Sequence, residues 1–260
     1  MTTLTLSSGE LCVLLSALDV DPRPFIDGSD LMALERPELT RRLMACRESL
    51  LIRKLAEARP DNSLAVEATT HGLLLQVVQP QTAFELLHAR SGSPPQRIKF
   101  NFAAVSIIVH RFVGGTSHEF EQTMELAAIG RIVMAEAAPP DYATPVEARS
   151  VAMPHSTFAA LARMPPEPNP QLLALLQTAG LAPELAAGIL KAGTNPAQQT
   201  VFTSMALRGN KLQSRAIMWF ADSQSCWLIS NFNHEGNVVL LPATSANIAQ
   251  AVDSMVAAAL

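Results

Sequence analysis

TAFELLHARSGSPPQRIKFNFAAVSIIVHRF, residues 82–112, holds three short runs rich in aromatic and β-branched residues. Such residues suit a pleated, half-buried surface, so residues 82–89, 97–103 and 106–112 are expected to be strands. Ser91-Gly92-Ser93-Pro94-Pro95 supplies turn chemistry between the first two, and Gly114-Gly115 follows the third. Residues 118–122 add a candidate fourth strand, and residues 124–135 return to helical spacing. The expectation is an antiparallel meander closed by a helix.

The same pattern recurs 118 positions further on, as TVFTSMALRGNKLQSRAIMWFADSQSCWLISNF, residues 200–232. Thr82 falls on Thr200, Phe84 on Phe202, Arg90 on Arg208, Arg97 on Arg215, Phe102 on Phe220 and Ala103 on Ala221. A two-residue insertion then brings Phe112 onto Phe232. Strands are expected at 200–207, 213–221, 226–232 and 237–241. Turns fall at Gly209-Asn210, Asp222-Ser223 and residues 233–236. A last helix starts from Thr244 or Ser245 as its N-cap and runs to about residue 258.

Helices precede each meander. Ser7 and Glu10 have capping-box spacing ahead of Leu11, Val13, Leu14, Leu15 and Leu18. A proline-bearing loop covers residues 21–30. Over residues 37–58 Leu39, Leu43, Cys46, Leu50 and Leu51 recur at helical spacing behind Pro37, which suits a first helical turn. Pro60-Asp61-Asn62 ends that helix, and residues 67–78 form another, stopped by Pro80. In the second half, residues 155–163, 171–179 and 183–192 read as helices, with Gly180 and Gly193 as C-terminal caps. Residues 137–153 carry three prolines and no helical stripe, which marks a linker. The chain is therefore read as α+β, in two pseudo-twofold repeats, residues 1–137 and 151–260, joined by 138–150. Each half would cover the apolar face of its meander with helices. Because the halves would bury apolar surface against each other, pieces split near Asp141 are expected to be poorly soluble.

The totals narrow the function. The 260 residues are 48% hydrophobic and 16% charged, which is too apolar for a disordered chain and enough for a substantial core. The net charge is −4 and the pI near 5.9, with no basic patch, so neither nucleic acid nor an anionic membrane is an expected partner. The N-terminus lacks the basic and apolar regions of a signal peptide, and no apolar run reaches the ~20 residues of a spanning helix. Cys12, Cys46 and Cys226 lie far apart among apolar neighbours, so they read as buried free thiols of a cytoplasmic protein.

No catalytic motif is present. His110 and His118 flank the Gly-Gly turn and His234 sits beside Glu235. No pair among the histidines has HExxH or structural-zinc spacing, and they read as solvated or strand-facing. There is no G-x-S-x-G elbow, and Gly114-Gly115 lacks a phosphate-loop context. No catalytic, cofactor or metal residue is assigned. Arg41, Arg42, Arg47 and Arg53 interleave with Glu38, Glu48 and Glu57, which reads as a salt-bridged solvated helix face. Trp219 and Trp227 read as core residues of paired strands, and as the only candidates for an aromatic partner anchor. Meander edges offer a second kind of binding surface, through their backbone groups.

The stretch PELTRRLMACRESLLIRKLAEARPDNSLAVEATTHGLLLQVVQPQTAFEL, residues 37–86, resembles the N-terminal half of EspG-type proteins, chaperones associated with type VII secretion. Residues 55–58 and 63–67 take the places of that family's turn and following segment. GNVVLLPATSANIAQAVDSMV, residues 236–256, similarly resembles its closing strand, Pro-containing turn and last helix. The resemblance implies a quasi-twofold α+β fold, no enzymatic activity, no cofactor, and a helical secretion substrate of the PE/PPE type as partner. No substrate-binding residue matches one for one, so none carries over. The alternatives are a structural or regulatory interaction module of the same fold, and an enzyme with a dispersed site.

Overall fold

The computed structural model describes residues 3–26, 30–103, 106–139, 150–154, 170–178, 180–194, 196–209, 211–222, 225–230 and 237–260. The chain is α+β and divides into two compact units. Unit 1 comprises Met1–Ala83 and Ile98–Glu125, and unit 2 comprises Phe84–Arg97 and Leu126–Leu260.

Unit 1 opens with β1 (Thr3–Ser7), a strand absent from the sequence reading, which pairs antiparallel with β7 (Ser117–Thr123). Helix α1 (Ser8–Ala17) follows at once. The capping box is present in full: the Ser7 hydroxyl accepts from Glu10 N, and the Glu10 carboxylate accepts from Ser7 N. The proline-bearing loop contains the short helix α2 (Arg23–Ile26) and a 3-10 turn at Asp30–Ala33.

Helix α3 (Arg36–Ile52) stops six residues short of the expected end. Leu55 N donates to Leu50 O and Lys54 N to Leu51 O, with Lys54 at φ 58°, which is a Schellman closure. Residues 56–58 then form β2 (Ala56–Ala58), paired with β3 (Leu64–Val66) around the Pro60-Asp61-Asn62 turn. Glu67 caps α4 (Ala68–Val78) by accepting from Thr69 N and Thr70 N. Those bonds hold its carboxyl down to about 2.

Strands β4 (Thr82–Arg90), β5 (Gln96–Ala103), β6 (Ser106–Val113) and β7 follow, within two residues of the expected bounds. Unit 1's strands run in the order β1-β7-β6-β5. Leu6, Ile108 and Phe120 from this sheet close a buried cluster with Leu11, Leu14 and Leu15 of α1, Leu50 of α3, and Leu73, Leu74 and Val77 of α4.

Unit 2 takes β4, α5 (Ala127–Ala137), β8 (Val151–Pro154), α6 (Pro170–Thr178), α7 (Pro183–Thr194), β9 (Gln198–Arg208), β10 (Lys211–Ala221), β11 (Cys226–Ser230), β12 (Asn237–Pro242) and α8 (Ser245–Ala259). Its strand order is β4-β9-β10-β11-β12-β8. Strand β8 starts just past the 138–150 linker, overlapping the end of the proline-bearing stretch 137–153, and pairs with β12. Gly180 has φ 94° just past α6, as a cap requires, whereas α7 runs through Gly193 to Thr194. Thr244 is the N-cap of α8, accepting from Asn247 N. The expected helix at 155–163, the turn at 233–236, and residues 140–149 of the linker lie outside the described residues.

Helices cover both faces of unit 2's sheet, but unequally. On one face Phe220, Trp227, Ile229, Val238, Leu240 and Met153 pack against Leu176 of α6 and Ala186 and Ile189 of α7. On the other, α8 packs on β9, β10 and α5. The succession of four strands and a helix in β4 to α5 recurs in β9 to α8; α5 begins at Ala127 and α8 at Ser245, 118 positions apart.

Candidate partner-binding face

The two tryptophans are placed by strand alternation. Phe220 lies opposite Trp227 and Trp219 opposite Leu228, so the indoles point to opposite faces of the sheet. Trp227 is 2% exposed, inside the cluster under α6 and α7. Trp219 is fully buried, and its Nε1–H donates to Ala137 O, 2.9 Å away, at the C-terminal end of α5. A helix end leaves carbonyls without partners, and this indole takes one of them. Both rings serve the core, and neither is offered to a partner at the surface.

Of the solvated or strand-facing expectation, His110 and His118 follow the second half. Both are buried on the core side of unit 1's sheet, not solvated. His118 Nδ1 lies 2.9 Å from His110 Nε2, and His118 Nε2 lies 3.0 Å from Ser8 Oγ. His110 is stacked between Phe112 and Phe120, with ring centroids 4.2 and 4.3 Å away. The atoms follow the connectivity of a serine–histidine triad with a second histidine as the third member. The surroundings do not suit that chemistry. Ser8 is 2% exposed, which leaves no approach for a substrate. Burial also holds His118 down to about 4, a weak base at neutral pH. The chain of hydrogen bonds fastens the start of α1 to β6 and β7. Sequence spacing could not signal it, because Ser8 lies about a hundred residues from both histidines.

Cys12 and Cys46 are half-buried and Cys226 buried, all free. Desolvation raises all three thiols, Cys226 to about 12, so none is primed as a nucleophile. Among the described residues, no group of three His, Cys, Asp or Glu side chains is placed to hold a metal. The arginines of α3 and its end are engaged, but of the interleaved glutamates expected as partners Glu38 alone is among these pairs: Arg41 with Glu38, Arg42 with Asp30, Arg53 with the nearly buried Glu10, and Arg47 with Asn62.

The surface that stands out is one face of unit 2's sheet. Along β9 the even-numbered residues from Gln198 to Ala206 are buried, while the odd-numbered ones are half-buried or exposed. Residues paired directly across antiparallel strands share a face. Val201 with Met218, Met205 with Ser214 and Leu207 with Leu212 therefore lie on the same side. Strand β4 joins them in the same phase. His88 Nδ1 lies 2.8 Å from Thr200 Oγ1 and Phe84 stacks on Phe202, so even positions meet even positions and Glu85 and Leu87 fall on the open side.

At Met218 this face runs under the cluster covered by α6 and α7. Towards the β9–β10 turn no described helix of unit 2 covers it. Leu207 is 64% exposed and Leu212 69%, and Leu87 is also exposed. Glu85 and Arg97 are the charges there, and they neutralise each other at 2.6 Å. The result is an apolar, charge-balanced strip of leucine and methionine with the hydroxyls of Thr203 and Ser214. Clustered exposed apolar side chains of this kind mark interaction sites. The strip was missed in the sequence because alternation shows which residues share a face, not which face a helix will cover.

No protein-family model matches the chain, and no curated protein matches it in sequence. Among solved structures, the Mycobacterium tuberculosis type VII secretion system chaperone EspG5, solved in complex with the PE25–PPE41 dimer, is similar in fold. Its TM-score is 0.70 at 14% identity, covering 97% of this chain and 95% of that one. An N-terminal dehydratase from the difficidin assembly line reaches a TM-score of only 0.12 at 10% identity, over 73% of this chain and 90% of its own, and carries no argument. The chain thus has the EspG-type fold expected from residues 37–86 and 236–256.

Proposed function

We propose that this chain is a non-enzymatic chaperone or adaptor of the cytoplasm that holds a helical protein partner against the open face of unit 2. The observation that carries this reading is the charge-balanced strip of exposed Leu87, Leu207 and Leu212 with half-buried Met205. Its occupant is a partner with an apolar, uncharged contact surface, because a charged one would be desolvated with nothing to pair it. The fold adds support, since EspG5 shares it and has been solved holding a protein dimer. A secretion substrate is the partner this analogy favours. No helix among the described residues is long and apolar enough to cross a membrane.

The test is paired affinity capture from the native organism, using the tagged chain and a Leu207→Asp/Leu212→Asp variant. Both positions are exposed, so the variant should fold. A protein recovered by the parent at near-equal stoichiometry should fall at least about tenfold in the variant, as expected for loss of interface anchors. Equal recovery by both would rule out this face.

The same reading takes residues 1–137 and 151–260 as two copies of one repeat, joined by 138–150; the recurring element order supports it. Separately expressed pieces split near Asp141 should then be poorly soluble. Such a cut parts β4 from β9 and Ala137 from Trp219, all within unit 2. Two monomeric, cooperatively folding pieces would sink the proposal.

A further inference from the structure

Strand β1 is an end strand of unit 1's sheet order, with β7 on one side only. Edge strands expose backbone groups that can template pairing with another chain. Here the phase of those groups is legible. Ser8 N donates to Thr116 O, towards β7's side, so even-numbered residues bond inward. The odd-numbered residues Thr3, Thr5 and Ser7 then direct their N–H and C=O groups outward. Two of these outward groups are occupied by side chains. The Glu10 carboxylate accepts from Ser7 N at 2.9 Å, and Arg53 Nη2 donates to Thr5 O at 2.7 Å.

Glu10 and Arg53 are also joined to each other, Nη1 to Oε1 at 2.8 Å, with the Ser49 hydroxyl donating to the same carboxylate oxygen at 2.8 Å. The carboxylate is nearly buried. Burial works against its charge, but the bonds from Ser7, Ser49 and Arg53 outweigh it, and its pKa lies below the ordinary value. One ion pair thus presents to the strand an acceptor and a donor at neighbouring outward positions, which is what the backbone of an added strand would present.

We propose that the Glu10–Arg53 pair is a guard on the β1 edge, and that it holds shut a latent interface with a second copy of this chain. The second copy follows from the strand itself. Thr-Leu-Thr-Leu-Ser is short, uncharged and alternating. A twofold axis at Thr5 would set Thr5 against Thr5 of the second copy and Thr3 against its Ser7, in a closed, self-complementary pairing. That pairing needs both groups the guard occupies, Thr5 O and Ser7 N.

The test compares the parent chain with a Glu10→Ala/Arg53→Ala variant. Removing both side chains frees Ser7 N and Thr5 O together, and leaves no lone buried ion. The parent should remain monomeric by analytical ultracentrifugation, while the variant should dimerise with affinity at least about tenfold tighter. Adding Thr5→Pro should abolish that dimer, because proline is tolerated on an edge where its missing N–H faces solvent but cannot bond a new strand. A folded variant that stays monomeric overturns the proposal, and so does association that survives Thr5→Pro. Should the double variant unfold, Glu10→Gln/Arg53→Ala is read instead. It keeps a neutral cap acceptor that an added strand can displace from Ser7 N, it frees Thr5 O, and the same two outcomes overturn the proposal.

Discussion

Trp219→Ala should cost unit 2 about 4 kcal/mol of stability, the scale of removing a large aromatic side chain from a closed core. The ring is fully buried among strands and helices that cannot follow it inward without losing their own contacts. The substitution also strips Ala137 O of its indole donor at the end of α5. Trp219→Phe separates the two effects. It keeps most of the apolar volume and loses the hydrogen bond, for an expected cost of about 1–2 kcal/mol. Urea unfolding reads both, because Trp227 remains as the single tryptophan and is itself buried in unit 2. The midpoint should fall while the slope stays constant. A loss under about 1 kcal/mol for alanine would mean that α5 repacks, and the account of Trp219 as the link between β10 and α5 would be wrong.

That link also shows what could be read in advance. Strands β5, β6, β9 and β10 were legible because each carries several β-branched and aromatic residues, and β4 because Thr82 and Phe84 align on Thr200 and Phe202 of β9. The ends of α1 and α8 were legible because Ser7 with Glu10, and Thr244, advertise caps by side-chain type. Elements whose stability comes from distant partners were not. β1 is five residues long, and its partner β7 lies more than a hundred positions away. β8 is shorter still, sits in a proline-rich stretch, and pairs with β12, more than eighty positions away. The end of α3 was misplaced because Leu55 continues its apolar spacing. The backbone turns at Lys54 instead, in a left-handed conformation that lysine does not signal.

The functional surfaces follow the same division. Residue types mark β9 as a strand, while its division into a buried and a lighter face is a feature of the structure. Residue type could not say that α6 and α7 leave Leu207 and Leu212 exposed. The tryptophans were the natural anchor candidates by residue type. A sheet with helices on both faces buries its largest side chains, and the surface left over is aliphatic. A guard such as Glu10–Arg53 is legible only in part. Its carboxylate belongs to a recognisable capping box, while its guanidinium comes from just beyond a helix that the sequence extends too far.

Acid should weaken unit 1 well before its carboxylates titrate, and the reason is His118. Burial holds its pKa near 4, against an ordinary value near 6.5. Above pH 6.5 the ring is neutral in both the folded and unfolded chain, and the stability is complete. Between pH 6.5 and 4 the unfolded chain takes up a proton that the folded chain refuses, so stability falls as pH falls. The full loss across that window is about 3 kcal/mol. Glu10 is depressed in the fold, so its contribution is lost only on acidification below the ordinary carboxylate value of 4.5. The range from pH 6.5 to 5 therefore isolates the histidines. His88, also lowered by burial, acts in the same direction, but it belongs to unit 2.

Hydrogen exchange at the β6 and β7 amides reports unit 1 alone. Protection there should drop steeply from pH 6.5 to 5 after correction for intrinsic exchange. In a His118→Gln variant, whose amide cannot titrate but can still bond Ser8 or His110, the drop should largely vanish. Ser8→Ala should lower protection at every pH and keep the slope, because it removes a partner and not the titrating group. If His118→Gln keeps the parent's slope, the relay is not what makes this unit acid-sensitive. The Ser8–His118–His110 chain would then be a set of ordinary buried hydrogen bonds, with no share in the pH response.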